Sequence, residues 1–269
     1  MNQPFDAAAA AASPAPETRM AEPLLRIENV TKVFGGAVTA LEGMSLALRD
    51  GDFVSLLGPS GCGKSTALRL IAGLSSPTKG RIRWRDGGDA DLGVVFQEPT
   101  LAPWTTVFGN VWLPLKLKGV SKEAARDRVL ESIESVGLGG FDGAYPRELS
   151  GGMKMRVSIA RAMVTRPKLL LMDEPFAALD EITRFKLNDD LLRLQTTLNC
   201  TVVFVTHSVF ESVFLSNRIV VMAARPGRVI RELSVNEPYP RTESFRTSTT
   251  YVEHCRRASE ALKDAMEAA

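Results

Sequence analysis

The chain has 269 residues, 45% of them hydrophobic, and a formal charge of +2, which is enough apolar material for one large core or a core with an inserted subdomain. That near balance argues against nucleic-acid binding, which needs a concentrated basic face. No run approaches the ~18 apolar residues of a membrane span, and Cys62, Cys200 and Cys255 form neither a C-x-x-C pair nor a secreted disulfide pattern, so they read as reduced thiols.

Residues 1–22 differ in composition from the rest of the chain. An unbroken alanine run, Ala7 to Ala12, leads into Ser13-Pro14-Ala15-Pro16. Asp6 stands early and no leucine-rich stretch is present, so a signal peptide is a poor fit and a solvated, disordered tail is expected. An antiparallel start comes next, with strands over 24–30 and 38–48, closed by the polar turn Arg49-Asp50-Gly51-Asp52. Phe53-Val54-Ser55-Leu56-Leu57 is a short apolar run that predicts a buried strand. Gly58-Pro59-Ser60-Gly61-Cys62-Gly63-Lys64-Ser65-Thr66 comes directly after it, and Ser65 to Leu74 carries Leu68, Leu70, Ile71 and Leu74 at helical spacing.

Strand, glycine-rich turn and helix are the context that G-x-x-x-x-G-K-[ST] requires. Small residues let successive backbone N–H groups converge on phosphate oxygens, and the helix N-terminus adds the positive end of its dipole. Lys64 is then placed to bridge β- and γ-phosphates, and the Ser65 hydroxyl to ligate magnesium. An ordinary turn has no use for Lys-Ser at that spacing, so the segment points to a nucleoside triphosphate.

Between Gln97 and Ser150 the pattern becomes helical, over 110–118 and again over 121–136, with Ser121 as an N-cap. Gly137, Gly139 and Gly140 break the chain before Tyr145-Pro146-Arg147, and a further helix is expected from Met153 to Met163. Lys168 to Met172 reads as an apolar strand ending in Asp173 and Glu174, ahead of Pro175. A long helix from Glu181 to Leu198 precedes strands over 200–206 and 219–222, a turn at Pro226-Gly227 and a last helix from Tyr251 to Ala265. Two adjacent carboxylates after four apolar residues fit an ordinary exposed strand end poorly. His207, one of two histidines, closes an equally apolar strand, whereas His254 reads as an ordinary helix side chain.

Leu149-Ser150-Gly151-Gly152 before a helical run is the signature of ATP-binding cassettes, and here the chain resembles the ABC transporter ATPase family. The other motifs stand in the family's order. Lys168 to Pro175 looks like the second Walker motif, Phe176-Ala177-Ala178-Leu179-Asp180 the D-loop, Val95-Phe96-Gln97-Glu98-Pro99 the Q-loop, and Val203 to His207 the switch-histidine strand. Phe34 stands where the family places its adenine-stacking aromatic. Each short motif alone is weak evidence; together and in order, over about 24–232, they are specific.

The resemblance implies an α/β fold: a P-loop NTPase ABC cassette with a RecA-like core, an antiparallel β part and an inserted helical subdomain. On that pattern residues 23–234 form the ATPase domain, about 99–160 the helical subdomain, and 235–269 a C-terminal extension with a helix. It also implies ATP and Mg2+ as cofactors, with Glu174 as general base, Asp173, Ser65 and Gln97 around the metal, and His207 on the γ-phosphate. Ser150, Gly151 and Gly152 lie beyond a whole inserted subdomain, too far along to reach Lys64 in the same cassette. In the family they meet the nucleotide of the opposite protomer, which implies a homodimer of cassettes, Asp180 lying in its D-loop.

The remaining partners implied are a separate integral-membrane permease and, indirectly, a substrate-binding protein, with no nucleic acid. The subunit is expected peripherally at the cytoplasmic face of the inner (cell) membrane. Met153, Met155, Ser208 and Ala177 depart from the commoner family residues without removing a charged catalytic group. Leu101-Ala102-Pro103-Trp104-Thr105-Thr106-Val107 and Ala224-Arg225-Pro226-Gly227-Arg228 resemble nitrate-, sulfonate- and taurine-type importers, whose look is shared by relatives that take up vitamin precursors. An exporter or lipid-extracting ATPase, or a soluble non-transport one, is the alternative. Leu101, Pro103 and Trp104 read as exposed contacts for a short cytoplasmic helix of the permease, and for Trp104 the competing reading is a buried core residue.

Overall fold

The computed structural model describes residues 22–85 and 91–268. The tail expected over 1–22 therefore lies, but for Glu22, outside the described residues. Strands β1 (Leu25–Phe34) and β2 (Val38–Leu48) form an antiparallel hairpin, and β3 (Phe53–Leu57) enters the main sheet. Helix α1 (Lys64–Ile71) is next, and then β4 (Lys79–Trp84) and β5 (Leu92–Val95). Helices α2 (Val107–Leu117), α3 (Lys122–Ser135) and α4 (Gly151–Met163) come before β6 (Leu169–Asp173). The second half runs through α5 (Glu181–Leu198), β7 (Thr201–Thr206), α6 (Val209–Leu215), β8 (Arg218–Ala223) and β9 (Arg228–Ser234). A short α7 (Glu243–Arg246) and a long α8 (Thr249–Glu267) complete it.

The strands form two sheets, a three-stranded one in the order β2-β1-β4 and a six-stranded one in the order β5-β6-β7-β3-β8-β9. In the larger sheet β5, β6, β7, β3 and β8 run parallel, and β9 adds an antiparallel edge. A parallel strand covered on both faces must be apolar on both, and β3, β6 and β7 are almost wholly so. Side chains alternate between the faces. Phe53, Leu170, Met172, Val202 and Phe204 pack toward the helices of the insert and the C-terminal half. Val54, Leu169, Leu171, Val203 and Val205 pack toward α1 and the antiparallel sheet.

Register brings the strand ends together: Leu57 lies beside Thr206, and Asp173 beside Val205. The segments leaving β3, β6 and β7 therefore emerge side by side, at the carboxyl ends where open α/β sheets hold their ligands. The α/β class and the inserted helices agree with the sequence reading. Helix α1 ends at Ile71 and not at Leu74, because Gly73 turns the chain with φ of 70°. Strands β4, β5 and β9 and helix α6 are elements that the sequence pattern did not disclose. Their segments are short, and β4 (KGRIRW) and β9 (RVIRELS) carry charges on their exposed faces. The C-terminal extension packs back on the domain: Arg241 donates to the carbonyls of Val213, Phe214 and Ser216 at 2.8, 3.0 and 2.9 Å, closing the end of α6.

Candidate nucleotide site

A cavity of about 580 Å³ opens where β3 and β6 end. Its floor is the expected loop, with Ser60, Gly61, Gly63, Lys64, Ser65 and Thr66, and its far wall holds Gln97, Asp173 and Glu174. Gly63 begins α1 with φ of 89°, and a Cβ there would meet the Ala40 carbonyl at 2.7 Å. Only glycine fits such a turn without strain. No side chain caps this helix, although Thr106, Ser121, Ser150, Asp180, Ser208 and Ser248 each cap theirs. The first amides of α1 are therefore left for a ligand, as an anion site at a helix N-terminus requires.

Lys64 is 4% exposed. Its Nζ donates to the carbonyls of Gly58 and Pro59 at 2.7 and 3.0 Å and lies 3.7 Å from Glu174 Oε1. The other oxygen of Glu174, Oε2, is 3.0 Å from His207 Nδ1. Glu174 itself has φ of 45° and donates its N–H to the Val205 carbonyl at 3.0 Å. A carboxylate residue in the left-handed region is uncommon, and such strain clusters at working sites. One carboxylate thus joins the loop lysine to the histidine at the end of β7. Ser65 Oγ donates to Asp173 Oδ1 at 2.8 Å. Burial pushes the Asp173 carboxyl up, the Ser65 hydrogen bond opposes the shift, and the neighbouring Glu174 charge adds to it. Burial likewise raises the Cys62 thiol, which suits an inert wall of the loop and not a nucleophile.

No group of three or more His, Cys, Asp or Glu able to hold a metal exists among the described residues, so the site has no dedicated metal cage. Ser65, Gln97 and Asp173 offer oxygen donors with a single carboxylate. Magnesium suits such a set, because it keeps several waters and takes its remaining ligands from one or two carboxylates and substrate phosphates.

Several expected site residues lie apart from the cavity lining. Ser150, Gly151, Gly152, Asp180 and Phe34 do not line it, nor do Gly58, Pro59 and Cys62 of the loop, and His207 stands beside it only through its contact with Glu174. Ser150 instead caps α4, its Oγ accepting from Met153 N at 3.3 Å. Asp180 caps α5, accepting from Thr183 N at 2.9 Å, and hydrogen bonding to Thr183 holds its carboxyl below the usual range. Phe34 ends β1 with 45% exposure, and Lys32 Nζ stands 4.9 Å from its ring centroid. The buried reading of Trp104 is excluded: the side chain is 81% exposed.

Other lining residues carried no sequence signal that assigned them to the site. Val38, Thr39 and Ala40 form one wall and Arg225 another. The turn carrying Arg225 is pinned to β2 by Gly227, which donates to Ala40 O at 3.2 Å and accepts from Glu42 N at 2.9 Å. A Cβ on Gly227 would fall 2.3 Å from the Cys62 carbonyl, so this turn presses directly on the phosphate loop. The adjacent Pro226-Gly227 pair is a visible turn signal, but nothing local indicates which surface the turn meets. Arg161 of α4 is equally silent in the sequence. It donates to the carbonyls of Pro99 and Thr100 at 2.9 and 2.8 Å, tying α4 to the segment just after Gln97.

The ABC transporter family matches residues 41–177. The nitrate import ATP-binding protein of Synechocystis sp. is 46% identical over 221 residues, covering 80% of this chain and 83% of that protein. The aliphatic sulfonates import ATP-binding protein of Bacillus cereus is 44% identical over 226 residues, 81% of this chain and 88% of that one. A dimeric ATP-binding cassette solved in a post-hydrolysis state with ADP and Pi superposes with a TM-score of 0.69 at 35% identity, over 80% of this chain and all of that one. Likeness of that extent, in sequence and in fold, makes this chain a member of the ABC transporter ATP-binding family, an ATPase of P-loop fold that matches its nitrate- and sulfonate-type importer branch.

Proposed function

We propose that this chain is the ATP-hydrolysing subunit of an ABC importer, working as a homodimer that couples Mg-ATP hydrolysis to solute uptake through a separate permease. The observation that carries the catalytic part is the Glu174 carboxylate held between Lys64 Nζ and His207 Nδ1 at 3.7 and 3.0 Å. Incoming phosphates meet the uncapped amides of α1, and Lys64 exchanges its carbonyl and carboxylate contacts for phosphate oxygens. That exchange frees Glu174 to orient a water and accept its proton in line with the γ-phosphoryl group, while His207 holds Glu174 and reaches the γ-phosphate. Ser65, Gln97 and Asp173 would hold magnesium, which would supply positive charge to the phosphates.

The dimer reading is supported by Ser150 and Gly151, which are exposed and apart from the cavity lining, and by the dimeric cassette to which the chain is similar. The import reading is supported by relatives named for nitrate and aliphatic sulfonate import. The solute is accordingly a small one of the nitrate, sulfonate, taurine or vitamin-precursor class, delivered by a substrate-binding protein. No helix among the described residues is long and apolar enough to cross a membrane. We place the subunit peripherally at the cytoplasmic face of the inner membrane.

The permease docks beside the Q-loop. Phe96, Trp104, Leu113 and Leu117 are all exposed there, Phe96, Leu113 and Leu117 bordering a groove of about 600 Å³ between β5 and α2. Large apolar side chains clustered on a surface mark interaction sites.

Glu174→Gln tests the chemistry. Loss of a positioned base costs ~10²–10⁴-fold in rate, so phosphate release should fall by that range while ATP binding persists; release at the wild-type rate excludes Glu174 as the base. Trp104→Ala tests the docking. It should leave folding, ATP binding and basal hydrolysis intact but abolish permease co-purification and uptake, and full uptake would eliminate the docking surface.

A further inference from the structure

A buried carboxylate lies behind the histidine and takes no part in the chemistry described above. Glu211 of α6 is 7% exposed. Its Oε2 accepts from Thr206 Oγ1 at 2.5 Å, and Thr206 Oγ1 in turn accepts from Ser208 N at 3.0 Å. The residues on both sides of His207 are therefore tied to one carboxylate. On its other side, Glu211 Oε1 faces Arg184 Nε at 3.6 Å. Arg184 Nη2 donates to the Leu179 carbonyl at 2.9 Å, one residue before Asp180. Among the described residues the buried Nε atom has no hydrogen-bond partner, and its ion pair to Glu211 stands just beyond hydrogen-bond length.

We propose that Glu211 and Arg184 are positioning residues that set His207 against Glu174 and link it to the D-loop turn at Leu179-Asp180. The link runs from the Leu179 carbonyl through Arg184 and Glu211 to Thr206 and Ser208, and so to the backbone on either side of His207. The turn it starts from comes after β6 and the strand it ends on is β7, neighbours in the sheet. A shift of that turn therefore pulls on the histidine. The Ser208 hydroxyl reinforces the same frame, capping α6 by accepting from Glu211 N at 3.3 Å. Burial raises the Glu211 carboxyl, as expected for a group serving as a fixed acceptor in a dry wall. This inference rests on the proposed role of His207.

The test is kcat, KM for ATP and ATP affinity for Glu211→Ala, Glu211→Gln and Arg184→Met, each in the wild-type and His207→Ala backgrounds. Small misplacement of a reacting group costs up to ~10²-fold, so Glu211→Ala should lower kcat about tenfold with KM and affinity unchanged. Glu211→Gln should recover most of that loss, because its amide oxygen still accepts from Thr206. Arg184→Met, which is compatible with folding because the side chain is partly exposed, should lower kcat by a smaller factor of about three. Residues acting as one unit are non-additive, so none of these changes should lower the residual rate of His207→Ala. An equal loss in both backgrounds would overturn the positioning role alone. Full activity of His207→Ala would remove the role of His207, and this inference with it. If Glu211→Ala fails to fold, Arg184→Met in the two backgrounds decides the matter by the same criterion.

Discussion

Helices α1 and α4 both begin at glycine-rich segments, and they begin in opposite ways. The first turn of α1 has no side-chain cap, and Lys64, Ser65 and Thr66 line a cavity whose opposite wall carries two carboxylates. The first turn of α4 carries its own cap in Ser150, and Ser150 and Gly151 are exposed, away from that cavity. An uncapped helix end inside a walled cavity can attract an anion unaided, whereas a capped and outward-facing one needs a ligand brought to it. One chain therefore holds a nearly whole phosphate site, and in the proposed homodimer its signature is the part offered to a second copy.

The sharpest challenge to that contrast is complementation between two inactive chains. Lys64→Ala removes the loop's cation, and Ser150→Arg blocks the outward signature. Each should abolish turnover as a homodimer. Mixed heterodimers contain one site with a wild-type loop and a wild-type signature, as a two-fold interface dictates, so mixing should restore phosphate release. Continued inactivity of the mixture, with heterodimers demonstrated, would mean that the two helix ends do not share a site.

A smaller effect is expected on the loop side alone. Stacking of an aromatic ring on a base is worth roughly 1–3 kcal/mol, so Phe34→Ala should raise the ATP dissociation constant about tenfold or more and Phe34→Tyr should be near neutral. Titration with a fluorescent ATP analogue gives the answer, and an unchanged affinity would leave Phe34 as the end of β1 only. The smallest effect is on the signature side. Replacing an N-cap serine by alanine costs ~1 kcal/mol, so Ser150→Ala should lower the denaturation midpoint slightly while monomer ATP affinity stays constant. A loss of affinity in that variant would place Ser150 in its own chain's site.

Much of this site was legible in the sequence because the carrying signals are local. The β3 strand, the loop and α1 are contiguous, and the amides proposed to meet phosphate belong to the same few residues that spell the motif. Asp173 and Glu174 were marked by apolar residues before them, and His207 by the strand it ends. Arg225, Thr39 and Arg161 were not legible, since each reaches its place through a packing contact with a distant segment: Gly227 on Ala40, or Arg161 on the carbonyls after Gln97. Trp104 could be read as core or surface until the fold left it uncovered.

The family, the phosphate loop, the strand-end carboxylates and the cap at Ser121 were all readable from residue order alone, because hydrophobic period, glycine φ and capping chemistry act within a few residues. The folded chain was needed to establish that Glu174 stands between Lys64 and His207, that Glu211 is sealed behind the histidine, and that the signature lies apart from the cavity lining. Those outcomes depend on the β6-β7-β3 strand order and its register. That order is fixed by which apolar faces bury one another across the whole sheet, a non-local balance that no short stretch of residues encodes.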